Sequence, residues 1–373
     1  KIMDTMRPIY EKAVADAKAA DTPEKRRGVG IAWGGFNVTE GGGDSAEVAL
    51  ELMPGNKIRK YDTWHAMGQG ATTGSLVVTL EALKEMHLTP EDIQLIQNDT
   101  KTCPDTGMAG ASRSLYMDGN ATIIAANKLL AAMRKEDGTL RTYDEMKAEG
   151  IETKYLGRYE TNTTPGLCRL DPNTGIGDPT PAFTYCLNLA EVEVDTKTGK
   201  TTVLKFTCVD FVGRIGNIDA VNGQAYSGIM HGIGFALKED YADVKKHANM
   251  FGAGTSYIKD VPDDINLIHI DGAISDGPFG SSGASEAFQA SGHCAVLNGI
   301  YNACGVRIHE IPALPEKVKA GLDAIAKGEK PYEPKKYFLG SDMYEELENI
   351  KENPVQVGTQ SFYKAYRVIV NKN

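Results

Sequence analysis

No C-x-x-C pair and no H-E-x-x-H occur in these 373 residues. The six cysteines (Cys103, Cys168, Cys186, Cys208, Cys294, Cys304) are scattered, which signals neither a zinc ribbon nor an iron–sulfur cluster and predicts free, buried thiols. The seven histidines are equally dispersed. A metal held directly by protein side chains is therefore not expected. Long apolar runs are missing as well. None approaches the ~20 residues of a membrane-spanning helix, and the N-terminus lacks the apolar segment of a signal peptide. The expected location is the cytoplasm. Basic residues are outnumbered, 40 Lys and Arg against 50 Asp and Glu, for a net charge of −10. That balance argues against a nucleic-acid partner. There is no G-x-x-x-x-G-K-[S/T] and no G-x-S-x-G, and Gly28-Val29-Gly30 does not lead into a helix. P-loop, Rossmann and serine-hydrolase readings lose their support.

The composition that is present, 41% hydrophobic and 24% charged, is that of a globular protein long enough for two subdomains. Helical spacing covers Met3–Ala20. Strand patterns follow at Gly28–Gly34, Ala46–Met53 and Ile58–Trp64, the last two joined by the turn Pro54-Gly55-Asn56. A helix is expected over Ala71–Met86, a strand over Ile93–Gln97, a helix to about Arg134, a Thr142-capped helix and a strand over Ile151–Thr161. The second half opens with the hairpin Phe183–Val194 and Thr201–Val209. It continues with a helix to Leu237, a strand at Asn266–Ile270, a helix over Ala287–Ala303, a strand at Val306–Ile311 and a helix over Leu314–Lys327. Strands, helix, strand and helix thus come twice. The expected class is α+β, with two similar mixed subdomains at 1–165 and 166–327 and a polar extension, 328–373, that wraps the surface or a partner. Gly223, Gly228, Gly232 and Gly234 cost the helix ending at Leu237 roughly 1 kcal/mol each against alanine. Such a helix is expected to pack closely against another helix, the sheet or a ligand.

Four strand-to-helix turns share one construction. The most compact is Gly277-Pro278-Phe279-Gly280-Ser281-Ser282-Gly283-Ala284-Ser285-Glu286, where small residues let the backbone approach a ligand and one carboxylate stands at the helix entrance. The others are Trp64-His65-Ala66-Met67-Gly68-Gln69-Gly70, the run Gly107–Ser114 with Ser112 and Arg113 near its end, and Asn217–Gln224. Ser112 suits a helix cap or a phosphate contact, and Arg113 a source of charge. Each turn taken singly is equally a plain capped connection. An unrelated nucleotide-binding module, with small-residue turns cradling phosphate, also remains open at this level.

Together and in this order, the turns resemble those of the xanthine oxidase family of molybdenum hydroxylases, in particular its bacterial aldehyde oxidoreductase branch. The resemblance covers roughly residues 1–320 and includes Gly232–Leu237 and Leu314–Val318. It implies a molybdenum atom held by a molybdopterin dinucleotide, with cytosine as the expected base, and no direct protein ligand to the metal. It implies oxidative hydroxylation of an electrophilic carbon with oxygen from water. Glu286 matches the general base, and general bases contribute roughly 10²–10⁴-fold. Gln69 matches the residue beside the apical oxygen of molybdenum, flanked by Gly68 and Gly70. Ala111, Ser112 and Arg113 match the loop around the dinucleotide's phosphates. Asn217, Ala220 and Gln224 match residues lining the pterin and nucleotide channel, and Gly283, Ala284 and Ser285 match the metal-side wall.

The sequence also departs from that pattern. Gly283-Ala284-Ser285-Glu286 replaces the usual Gly-Val-Gly-Glu, and Met67 stands where the branch has a bulkier polar residue. Neither a Gly-Gly-x-Phe-Gly nor a Phe-Arg-Gly turn is present. The expectation is the C-terminal half of a molybdopterin-binding domain, either a natural subunit or a partial chain. Its partners would be a chain carrying the other half, a [2Fe-2S] chain and, in flavin-containing assemblies, an FAD chain. Aldehyde-to-acid oxidation is the first reading of its activity. Hydroxylation of an N-heterocycle such as a purine or nicotinate is the alternative, and a non-catalytic scaffold subunit is a second one.

Overall fold

The computed structural model describes residues 1–329 apart from 40–42, 98, 162–170, 172, 178 and 244. Beyond Glu329 the expected extension lies outside the described residues, as does Cys168. In chain order the first half holds α1 (Ile2–Ala20), β1 (Lys25–Val38), β2 (Ser45–Met53), β3 (Lys57–Asp62), α2 (Ala71–Ala82), β4 (Ile93–Gln97), α3 (Ser114–Met133), α4 (Tyr143–Ala148) and β5 (Lys154–Glu160). The second holds β6 (Ala182–Asp195), β7 (Thr201–Phe211), α5 (Ile218–Leu237), β8 (Asp264–His269), α6 (Ser285–Gln289), α7 (Gly292–Cys304) and α8 (Pro315–Ala326).

The strands form two four-stranded sheets, β1-β6-β7-β8 and β4-β3-β2-β5. Both have one topology: an edge strand antiparallel to a hairpin, whose second strand is joined by a parallel strand after a crossover helix. The α+β duplication is therefore present in three dimensions. Alternation explains β2, which turns Ala46, Val48, Leu50 and Leu52 inward. One core packs α2, α3 and α4 on the β4-β3-β2-β5 sheet. In the other sheet, α5 and α7 cover one face and α1 the opposite face. Complete burial of side chains such as Leu50, Phe206 and Phe288 stabilises the fold by about 1.5–3 kcal/mol each.

Sheet pairing crosses the boundary expected near residue 165. β1 precedes that boundary, yet it pairs along its length with β6, from Lys25 opposite Asp195 to Val38 opposite Ala182. The edge strand of the second sheet comes from the start of the chain because hydrogen bonding needs a neighbour in space, not in sequence. Two helices differ from their expected spans. The helix from Ala71 ends at Ala82 and tightens into a 3₁₀ turn at Lys84–Met86. The expected helix over 287–303 divides into α6 and α7 at Ser291, whose hydroxyl is held by Ala32 and Asn188. The strand expected at Val306–Ile311 does not form. Its apolar residues pack as coil, with Val306 and Ile308 against the second core.

Helices lie on the two edge strands at backbone contact. A Cβ on Gly30 would sit 2.0 Å from the Ala295 carbonyl oxygen of α7, and one on Gly157 2.1 Å from the Ala121 oxygen of α3. The close packing expected of α5 is against helices: a Cβ at Gly228 would meet Phe288, and one at Gly232 would meet Gly292. Gly223 has open space instead. Gly30→Ala is thus expected to destabilise the protein by about 1–3 kcal/mol through overpacking. Gly223→Ala, in an exposed helix position, is expected to stabilise it by up to about 1 kcal/mol. Chemical denaturation of both variants measures the contrast.

Candidate cofactor-binding and catalytic site

The four turns leave the C-terminal ends of β3, β4, β7 and β8 and enter helices, and they converge on one cavity of about 870 Å³. Its wall includes Gln69, Gly70, Ser112, Asn217, Ala220, Gln224, Gly283, Ala284, Ser285 and Glu286. Residues 174 positions apart in the chain, Ser112 and Glu286, are in direct contact there.

The Glu286 turn is built tightly. Gly280 N–H donates to Gly277 O (2.9 Å) and Ser281 N–H to Pro278 O (2.9 Å). Phe279 adopts φ +54° within it, which a side chain rarely does. Gly283 touches the other half: a Cβ there would lie 1.9 Å from Ser112 O. Ser285 Oγ donates to Gln224 Oε1 on α5 (2.8 Å), and the Cys186 thiol donates to Ala287 O (2.8 Å). The Ser112 hydroxyl donates to Glu286 Oε2, and the Glu286 N–H lies 3.4 Å from Ser112 Oγ.

Asn217 caps α5 by accepting the Ala220 N–H (2.9 Å). Farther along, α5 is tied to the sheet through His269, which lies 2.8 Å from both Asp210 Oδ2 and Asn222 Oδ1. Burial pushes the Asp210 carboxyl above its usual range against the pull of His269. Gln69 folds into its own turn, accepting from Met67 N–H (2.5 Å) and donating to His65 O (2.7 Å). Gly68, at φ +107°, shapes that turn but is not part of the cavity wall.

Ala111 and Arg113 stand behind the wall. Ala111 O accepts from Thr39 N–H (3.2 Å). Arg113 does not supply charge to the cavity. Its five N–H donors go to Asp44 Oδ2 (2.7 Å), Asp44 Oδ1 (2.8 Å), Ser45 O (3.0 Å), Thr106 O (3.0 Å) and Met108 O (2.7 Å). Only 2% of the residue is exposed. Asp44, which belongs to none of the four turns and carries no motif, turns this arginine inward.

A buried charge cluster that the sequence reading missed supports the Trp64–Gly70 turn. Lys60 Nζ donates to Asp118 Oδ2 and Ser75 Oγ, both at 2.7 Å, and lies 3.3 Å from Asp62 Oδ2. Asp62 Oδ1 accepts the Trp64 N–H (3.2 Å) and Gln97 Nε2 (2.8 Å). A lysine two positions from the core residue Ile58 on one strand was the available signal. Burial pushes the Asp118 carboxyl up to about 6 against the pull of Lys60.

The wall suits a large phosphate-bearing cofactor. α2 and α3 begin at the cavity, at Gly70–Ala71 and Ser114, with no side-chain cap, which leaves helix N–H groups for an anion. Ser282 and Trp64 in the wall each carry a buried polar atom, Oγ and Nε1, without a hydrogen-bond partner among the described residues. Among the described residues, no group of three or more His, Cys, Asp or Glu side chains is placed to hold a metal ion. Also among them, no helix is long and apolar enough to cross a membrane.

Such a cavity, between two copies of one topology, is the architecture of a molybdopterin-binding domain. The family model for the molybdopterin cofactor-binding domain matches residues 6–262, and the chain belongs to that family. It is 40% identical over 323 residues to the aldehyde oxidoreductase of Megalodesulfovibrio gigas, covering 87% of this chain and 35% of the relative. The crystal structure of the aldehyde oxidoreductase from Desulfovibrio desulfuricans ATCC 27774 superposes with a TM-score of 0.82 at 43% identity, covering 85% of this chain and 34% of that one. The gamma subunit of the 6-hydroxypseudooxynicotine dehydrogenase complex of Paenarthrobacter nicotinovorans is 23% identical over 354 residues, covering 86% of this chain and 43% of the relative. The resemblance to the xanthine oxidase family is thus confirmed, and the chain spans less than half the length of these relatives.

Two outcomes test the electrostatics around the site. Arg113→Lys is expected to cost about 2–4 kcal/mol, because an ammonium has three donors where five are used and Asp44 keeps its partial burial. Urea unfolding measures it. The raised Asp118 carboxyl favours the folded state most below the ordinary carboxyl value of 3.8, and that contribution is lost as pH rises through about 6. Asp118→Asn is expected to flatten the pH dependence of the melting temperature in that window.

Proposed function

We propose that this chain forms half of the molybdopterin-binding domain of a molybdenum hydroxylase, with Glu286 as general base in the oxidation of an aldehyde to a carboxylic acid. The observation that carries this reading is the Glu286 carboxylate, which stands at the cavity where the four turns meet and is held there by the Ser112 hydroxyl of the facing turn. When bound, the molybdenum cofactor supplies the two-electron acceptor and the oxygen centre at which water is activated.

The chain's own residues do the rest. The uncapped N-termini of α2 and α3 would receive the dinucleotide's phosphates, and Ser112 N–H lies in the same turn. Asn217, Ala220 and Gln224 would line the dinucleotide channel along α5. Gly283, Ala284 and Ser285 would let the metal-side group approach the backbone, with Gln69 on the facing turn. Glu286 would accept the proton that water gives up in the oxidation. Its Oε2 is held by Ser112, and among the described residues Oε1 has no hydrogen-bond partner, which leaves a lone pair for that proton. The sequence has no C-x-x-C pair of the kind that signals a cluster, and electrons would leave to a partner chain holding [2Fe-2S] groups. A further partner would carry the other half of the molybdenum domain, and FAD chains complete the assembly in flavin-containing members.

The test is metal and nucleotide analysis of the native complex purified through this chain, with Glu286→Gln assayed on benzaldehyde and on a purine. The expected result is molybdenum and cytosine dinucleotide near one per chain, and turnover of the aldehyde reduced by roughly 10²–10⁴-fold with metal retained. Turnover of the purine alone would replace the aldehyde reading with the heterocycle one. Nucleotide without molybdenum, or undiminished turnover in the variant, would overturn the assignment.

A further inference from the structure

We propose that Ser112 is the positioning residue for Glu286, acting across the two halves of the chain, and not only part of a phosphate loop. The proposal rests on Glu286 being the general base. Ser112 Oγ meets Glu286 twice, donating to the carboxylate at Oε2 and lying 3.4 Å from the Glu286 N–H. One hydroxyl therefore fixes the head of the side chain relative to its own backbone. Glutamate otherwise has three rotatable bonds between them, and Glu286 is only half-buried.

The backbone at Ser112 is costly for a residue with a Cβ. Ala111 and Ser112 are consecutive non-glycine residues at φ +53° and +50°. They are held there by Thr39 N–H on Ala111 O, by the closed set of bonds around Arg113, and by Gly283 lying against Ser112 O. Glycine would adopt this conformation without strain. What glycine cannot supply is the hydroxyl. The backbone around Glu286 is secured separately, by Ser285 on Gln224 and by Cys186 on Ala287 O. Among the described residues, Ser112 is then the one side chain that hydrogen-bonds to the carboxylate itself. Anchoring Oε2 turns Oε1 into the oxygen left for proton transfer, and a misplacement of about 1 Å at such a group costs on the order of 10²-fold.

Ser112→Gly and Ser112→Ala separate this role from a structural one, because both lack the hydroxyl while glycine alone relieves the backbone. The native complex carrying each variant is compared for kcat, KM, molybdenum content, melting temperature and the Glu286 carboxylate band, isolated as the infrared difference against Glu286→Gln. Both variants are expected to lose kcat by on the order of 10²-fold with KM and molybdenum little changed. The glycine variant should melt no lower than the parent, and the carboxylate band should shift in both. A glycine variant with parental kcat and an unshifted band would overturn the proposal, as would loss of molybdenum in both variants, which would make Ser112 a cofactor-binding residue. If Glu286→Gln itself kept full turnover, the general-base reading would fail, while the band shift would still report whether Ser112 holds the carboxylate.

Discussion

The site depends on one close approach, the backbone of Gly283 against the carbonyl of Ser112. At 1.9 Å from that oxygen, a Cβ on residue 283 has no room, so the two turns touch only because one of them lacks a side chain. That contact brings the first half's Gly107–Ser114 turn to the second half's carboxylate. Without it the cavity would have two separate rims, and Glu286 would lack the hydroxyl that holds it. Arg113 secures the same turn from behind by spending all five donors on Asp44 and three carbonyls.

The repeated topology explains why such a seam exists at all. Each half sends two strand-to-helix turns from the carboxyl ends of its hairpin and parallel strands, and facing the halves brings four turns together. The edge strands reinforce the union, since β1 leaves the N-terminal segment to complete the sheet formed by β6, β7 and β8. Glycines on those edges let α7 and α3 lie at backbone distance, which sets how deep the helices sit beneath the cavity. Apolar burial holds each half, and a small cluster around Val38, Val48, Tyr116 and Ile274 links them.

Polar groups buried near the cavity serve its geometry. The Lys60, Asp62 and Asp118 cluster braces the turn that bears Gln69, and His269 between Asp210 and Asn222 braces the helix that bears Gln224. Buried charges of this kind are costly unless paired, and their pairing restricts the surrounding backbone to one arrangement. Side chains locked in this way hold the wall of the cavity in one geometry.

Much was legible in the sequence because the signals are local. Period-two and period-3.6 patterning revealed the hairpins and long helices, and glycines with particular polar residues in fixed order marked the four turns, hence the family. Val306–Ile311 misled because apolar alternation reports burial and not pairing, and the split after Gln289 was hidden because Ser291 breaks the helix through contacts with Ala32 and Asn188. The sequence by itself determined where the four turns fall and, through their order, the family to which the chain belongs. Only the tertiary structure decided that β1 belongs to the second sheet, that Arg113 faces inward to Asp44, and that Ser112 reaches Glu286. Each of those depends on groups far apart in the chain, and local patterning carries no information about distances that folding alone closes.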